Sequence, residues 1–87
     1  MYQVRFTVRA EADMSRLGRP VARRVLTKLR RLAENFEVIT PEPLTADWQG
    51  VFKLRIGDYR ALYTFDRAKN EIIVHFVKHR REVYTTR

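Results

Sequence analysis

Apolar and polar residues alternate over residues 2–8, with Tyr2, Val4, Phe6 and Val8 on one side. A period of two predicts a half-buried first strand. The spacing then changes. Residues 10–17 read as a short helix ended by Gly18. Pro20 suits the first position of a longer helix, where its missing N–H costs nothing. That helix runs to about Phe36, with an apolar seam of Ala22, Val25, Leu29, Leu32, Ala33 and Phe36 at three- and four-residue spacing. Pro41 and Pro43 then remove donors and restrict the residues before them. They predict an extended loop over 39–44 without regular structure, leading past Trp48 to a turn at Gly50. Strands follow at 51–56, 59–65 and 71–77. The last is rich in β-branched residues (Ile72, Ile73, Val74, Val77), as a central strand would be. The polar run 66–70 joins the last two strands, and a short basic tail, 78–84, ends near the sheet.

The expected fold is α+β, in the order β-α-α-β-β-β. A three-stranded antiparallel meander pairs with the first strand, and the two N-terminal helices pack on one face of the sheet. Residues 1–87 read as one domain, with no internal repeat and no low-complexity segment. Gly57-Asp58 suits a two-residue hairpin loop, where φ > 0 is needed. Ile56 then faces Tyr59, Arg55 faces Arg60, Leu54 faces Ala61 and Lys53 faces Leu62. Alternation turns Phe52, Leu54, Ile56, Tyr59, Ala61, Tyr63 and Phe65 toward the helices. Lys53, Arg55 and Arg60 go to the open face with Leu62 and Thr64. The last strand is apolar on both sides, so its phase is open. Either Lys78 or His79 leads onto the open face, or a bend presents both.

Composition narrows the chemistry. A hydrophobic fraction of 45% in 87 residues supports a thin core. There is no cysteine, which excludes a disulfide scaffold, a thiol nucleophile and a thiolate metal site. His75 and His79 lack metal-ligand spacing, so neither metal nor cofactor is expected. No apolar run is long enough to span a membrane and the N-terminus has no signal-peptide core, so the expected location is the cytoplasm. The net charge is +8 with a pI near 10.6. That balance points to a polyanionic partner, nucleic acid before membrane or acidic protein. The long helix carries Arg19, Arg23, Arg24, Lys28, Arg30 and Arg31 with no acid before Glu34, more cation than solubility requires.

The hairpin concentrates this charge. Arg55 and Arg60, directly opposed, bring their Cβ atoms to about 5 Å, with Lys53 two residues along the same face. Like charges so placed cost stability unless an anion sits between them. Two planar guanidinium forks suit a phosphate. The plainer alternative is that the arginines splay into solvent.

These features resemble one toxin superfamily. The stretch Phe52-Lys-Leu-Arg-Ile-Gly-Asp-Tyr-Arg-Ala-Leu-Tyr63, the tail Lys78-His-Arg-Arg-Glu-Val-Tyr84 and the element order are similar to the RelE/ParE toxins of bacteria and archaea, on the RelE side. The resemblance spans essentially the whole chain. It implies a type II toxin that enters the ribosomal A site and cuts mRNA without a metal. It implies a cognate antitoxin, and operator DNA bound only indirectly through the antitoxin complex. Carried over by residue, Lys53 and Arg55 are the alternating basic residues of the second strand, and Arg60 holds the scissile phosphate. Lys78, Arg80 and Arg81 are RNA-binding positions before Tyr84, which stacks on a base and helps orient the attacking hydroxyl. Pro41-Glu-Pro-Leu44 looks instead like the YoeB branch, where such a glutamate is general base and a C-terminal histidine general acid. Glu42 and His79 are the corresponding pair here.

Metal-free RNA cleavage uses the substrate's 2′-hydroxyl as nucleophile. A base must take its proton, charge on the phosphorane must be stabilised, and the leaving 5′-oxygen must be protonated. Arg60 and Arg55 suit the second task. The base is Lys53 or Glu42, and His79 is the natural acid. The basic-residue and Glu/His mechanisms both remain open at this stage. Two other functions compete: a ParE-like gyrase poison and a non-catalytic RNA- or ribosome-binding module. Either toxin reading implies an acidic, partly disordered antitoxin segment that folds on binding.

Overall fold

Strand β1 (Gln3–Phe6) ends early because the next residue caps a helix. The Thr7 hydroxyl accepts the Ala10 N–H at 3.1 Å and opens α1 (Val8–Ser15), so Val8 is helical and exposed rather than in the strand. Helix α2 (Arg19–Glu34) follows, with Gly18 before it and Pro20 in its first turn. Strands β2 (Glu42–Pro43), β3 (Phe52–Ile56), β4 (Tyr59–Asp66) and β5 (Glu71–His79) come next, then α3 (Arg80–Thr85). This structure, a computed structural model, describes residues 1–45 and 48–85, without the side chains of Tyr84 and Thr85.

The strands form one sheet in the order β1-β5-β4-β3-β2. The expected α+β order is observed, with a mixed sheet: β1 runs parallel to β5 and the other neighbours are antiparallel. Both helices lie between β1 and β5 in the chain, so no tight turn obliges those strands to oppose each other. Two elements go beyond the expected order. The tail beyond His79 is helical. The proline-rich stretch, expected to lack regular structure, contributes β2, which pairs Glu42 with Lys53 and Pro43 with Phe52. Proline is tolerated there because β2 is the sheet edge, where a missing donor breaks no ladder.

The core lies between the helices and one face of the sheet. Val25, Leu29, Leu32, Ala33 and Phe36 are buried against Ile56, Ala61, Tyr63, Ile72, Val74 and Val77. Just beyond α2, which ends at Glu34 rather than Phe36, the Phe36 ring meets Tyr2 at 4.8 Å and Phe65 at 4.9 Å, tying the turn after the helix to the sheet.

Strand β5 changes phase midway. Leu62 pairs with Phe76 but Tyr63 pairs with Val74, leaving His75 as an extra residue, a β-bulge. Before the bulge, Ile72 and Val74 face the core; after it, Val77 does. Polar groups hold the bulge. The Thr7 hydroxyl donates to the His75 carbonyl, and the Thr64 hydroxyl lies 2.9 Å from His75 Nε2. The shift places Lys78 on the open face and His79 on the helix side. Without it Lys78 would share the phase of Ile72 and Val74.

Candidate active site

The β3–β4 turn has the expected register, from Ile56↔Tyr59 to Lys53↔Leu62. Gly57 sits at φ +56, and Asp58 is not among the residues with positive φ. Positive φ at the first central position alone marks a type II′ turn, whose twist suits the flanking strands. Arg55 therefore opposes Arg60, and Arg60 in turn opposes Lys78 on β5. Three cations thus stand in one row across three adjacent strands. Lys53 lies one row along on the same face.

The molecule answers this repulsion internally. At the β2 end, Glu42 takes Arg55 in a two-pronged bond, Nη2 at 2.6 Å and Nε at 3.2 Å, and holds Lys53 Nζ at 3.7 Å. The Arg55 hydrogen bonds, ahead of the two positive charges, hold the Glu42 carboxyl below the ordinary carboxylate range, against partial burial that raises it. At the other end, the carboxylate of Asp13 on α1, only 4% exposed, accepts from the Val77 N–H at 3.0 Å and from Lys78 Nζ at 3.1 Å. β1 leaves β5 after Val74, and Asp13 replaces the missing strand. In the middle, Arg60 is 8% exposed and turns back on its own hairpin. Its Nη1 donates to the Gly57 and Tyr59 carbonyls, both at 2.8 Å, while its Nε is buried without a partner. The alternative, splaying into solvent, does not occur at this position.

Next to the row is a largely apolar cavity of about 370 Å³. Leu62 and Phe76 line it, with Trp48 and Leu44 from the loop side and Val83 from α3. Lys78 belongs to both row and cavity. α3 is fixed to the hairpin, since the Arg80 N–H donates to the Asp58 carbonyl at 2.7 Å. Its first turn is capped reciprocally. His79 Nδ1 accepts from the Arg81 N–H at 3.2 Å, and Glu82 accepts from the His79 N–H at 3.4 Å. No group of three or more potential metal ligands occurs among the described residues.

The family profile described as "ParE toxin of type II toxin-antitoxin system, parDE" matches residues 4–84. The chain belongs to that family. It is a toxin of a type II toxin–antitoxin system, within the RelE/ParE superfamily. The toxin is similar to a chain of the RelBE2 toxin–antitoxin complex of Mycobacterium tuberculosis: 29% identity, 90% of this chain, 96% of that chain, TM-score 0.79. Two other likenesses are of fold. The isolated RelE toxin of E. coli matches at 24% identity over 98% of this chain and 93% of that one, TM-score 0.76. A chain of the YoeB–YefM complex of Staphylococcus aureus matches at 21% identity over 91% and 97%, TM-score 0.70. No curated protein matches the toxin in sequence.

Of the candidate residues, the toxin brings Glu42, Lys53, Arg55, Arg60 and Lys78 together on one face. It does not bring His79 to Glu42. The His79 ring packs against Tyr59 at 5.4 Å on the helix side, at the far side of β4 and β3 from β2. Arg80 pairs with Asp58 at 3.7 Å beside the turn, and Arg81 is exposed in the first turn of α3. The Tyr84 side chain lies outside the described residues. Sequence reasoning missed Asp13, although a carboxylate between Ala10 and Leu17 on the buried side of α1 was a legible anomaly. It also left the bulge undefined, whose signal is the apolar phase passing from Ile72 and Val74 to Val77.

Proposed function

We infer that the toxin is a ribosome-dependent mRNA endonuclease and that the Arg55–Arg60–Lys78 row receives the scissile phosphate. The row itself carries the reading. Three cations across adjacent strands with a carboxylate at each end form a site that a phosphate can enter by exchange for internal partners. The buried, unpartnered Nε of Arg60 is a donor that a phosphate oxygen would complete.

In the reaction, the 2′-oxygen bonds to phosphorus as the bond to the 5′-oxygen breaks, leaving a cyclic phosphate. Arg60 and Lys78 stabilise charge on the phosphorane. Glu42, ionised at neutral pH and ion-paired with Lys53 at 3.7 Å, accepts the 2′-hydroxyl proton. With His79 packed against Tyr59 on the helix side, a scheme without His79 as the acid fits better than a Glu42/His79 pair. Leaving-group protonation then falls to Lys78 or to solvent. A carboxylate held in its weakly basic form, with no dedicated acid placed beside it among the described residues, makes an incomplete set. That favours dependence on a ribosome that orients the mRNA. The six α2 cations, all exposed and none in an ion pair among the described residues, offer a second surface for ribosomal RNA. The toxin–antitoxin complexes among its structural relatives support a cognate antitoxin, here an acidic, partly disordered one that offsets the +8 charge.

A second reading rests on the family profile, which is that of ParE: poisoning of DNA gyrase without chemistry of its own. Parallel assays separate the two. With purified toxin, transcripts cut only when ribosomes are present, and gyrase left able to supercoil DNA, support the nuclease. Intact transcripts with gyrase-dependent DNA breaks support the poison.

A further inference from the structure

We propose that the cavity beside the cation row is a subsite for one unpaired nucleobase, stacked against Trp48 and read at its edge by the Thr64–His75 pair. This deepens the nuclease reading, resting on the row as the phosphate site. The spacing is that of a nucleotide. Two residues along β4 and β5 from Arg60 and Lys78 stand Leu62 and Phe76, about 7 Å away along the strands. That offset is comparable to the reach from a backbone phosphate to its own base. A phosphate on the row therefore puts an adjoining base over the apolar floor.

The walls suit a flat, partly polar ring. Trp48 is 43% exposed, a broad apolar surface that the core does not use. The Arg9 guanidinium lies 4.7 Å over the Phe76 ring in the same wall, and guanidinium planes also stack on bases. Beyond the floor, Thr64 Oγ1 and His75 Nε2 are 2.9 Å apart. Each can donate or accept, so the pair can exchange its mutual bond for bonds to a base edge. The bulge supplies this feature, because it puts His75 and Phe76 on the same side. An apolar side chain of an antitoxin would use the walls but leave the Thr64–His75 end unmatched, which favours the base.

Trp48 is the chain's one tryptophan, so fluorescence excited beyond the absorption of the four tyrosines reports on this wall alone. The full-length toxin is titrated with RNA trinucleotides carrying a 2′-deoxy sugar at the cut position, and binding is followed independently by anisotropy of a 5′-labelled probe. Saturable quenching is expected, with affinity about tenfold weaker in Trp48→Ala and restored in Trp48→Phe. Thr64→Val should flatten the preference among the four bases while keeping affinity within a few-fold of wild type. Probe binding without a fluorescence change, with Trp48→Ala at wild-type affinity, would overturn the subsite. So would quenching by an acidic antitoxin peptide but by none of the trinucleotides. The parent reading fails separately: quenching by RNA with no cutting on ribosomes supports the subsite and removes the nuclease.

Discussion

Asp13 does at one position what a strand would otherwise do. It closes the β5 edge at Val77 and neutralises Lys78 where the cation row meets α1. Asp13→Ala leaves a buried N–H without a partner, at an expected cost of about 2–3 kcal/mol by urea denaturation. Asp13→Asn keeps an acceptor for Val77 and should cost less. Tyr63 is a second buried group with a measurable signature. Burial, reinforced by the Glu42 charge, pushes its hydroxyl from 10.0 up to about 12. The unfolded chain ionises at the ordinary value and the folded chain does not. This contribution is therefore intact below pH 10 and is lost between about 10 and about 12. Stability should fall by up to roughly 1.4 kcal/mol per pH unit in that window, and Tyr63→Phe should flatten the limb.

At the scale of elements, the β3–β4 hairpin was fully legible. Two turn residues between alternating strands determine the register, and the register creates the Arg55–Arg60 pair. Gly57 is there for its φ of +56. An added Cβ would lie 2.6 Å from Arg24 Nη2, the far end of a flexible side chain, so strain in the backbone dominates. Gly57→Ala should cost about 1–2 kcal/mol, and the same amount in an Arg24→Ala background. β2 was not legible, because two prolines normally forbid pairing and only an edge position excuses them. Its attachment depends on Glu42. The lowered carboxyl value means its bonds are intact above the ordinary 4.5 and are lost as pH falls below it. Exchange at the Leu44 N–H, which bonds the Val51 carbonyl at 2.9 Å, should therefore speed up in acid beyond the intrinsic chemical trend. Glu42→Gln should remove that extra pH dependence. The bulge was hidden for another reason. Apolar residues on both faces of β5 erase the alternation that would have shown where it slips.

For the molecule as a whole, positive charge is divided between two opposite faces. The open-face row is matched by Glu42, Asp13 and carbonyl oxygens, whereas the α2 cations have no ion-pair partner among the described residues. In the proposed function, the first arrangement is a site whose internal partners a substrate phosphate replaces, and the second is a docking surface. Fold cannot choose between cutting RNA and trapping gyrase, because a shared scaffold carries both families of function. The chemistry at Arg60 can. The decisive measurement is primer extension on a reporter mRNA in a reconstituted translation system, comparing wild type with Arg60→Ala of verified fold. New cuts are expected in A-site codons, present only with ribosomes and reduced about 100- to 1000-fold in the variant. Cutting that persists at wild-type rates in Arg60→Ala would remove the phosphate role of Arg60, and transcripts left whole by folded wild-type toxin would remove the nuclease.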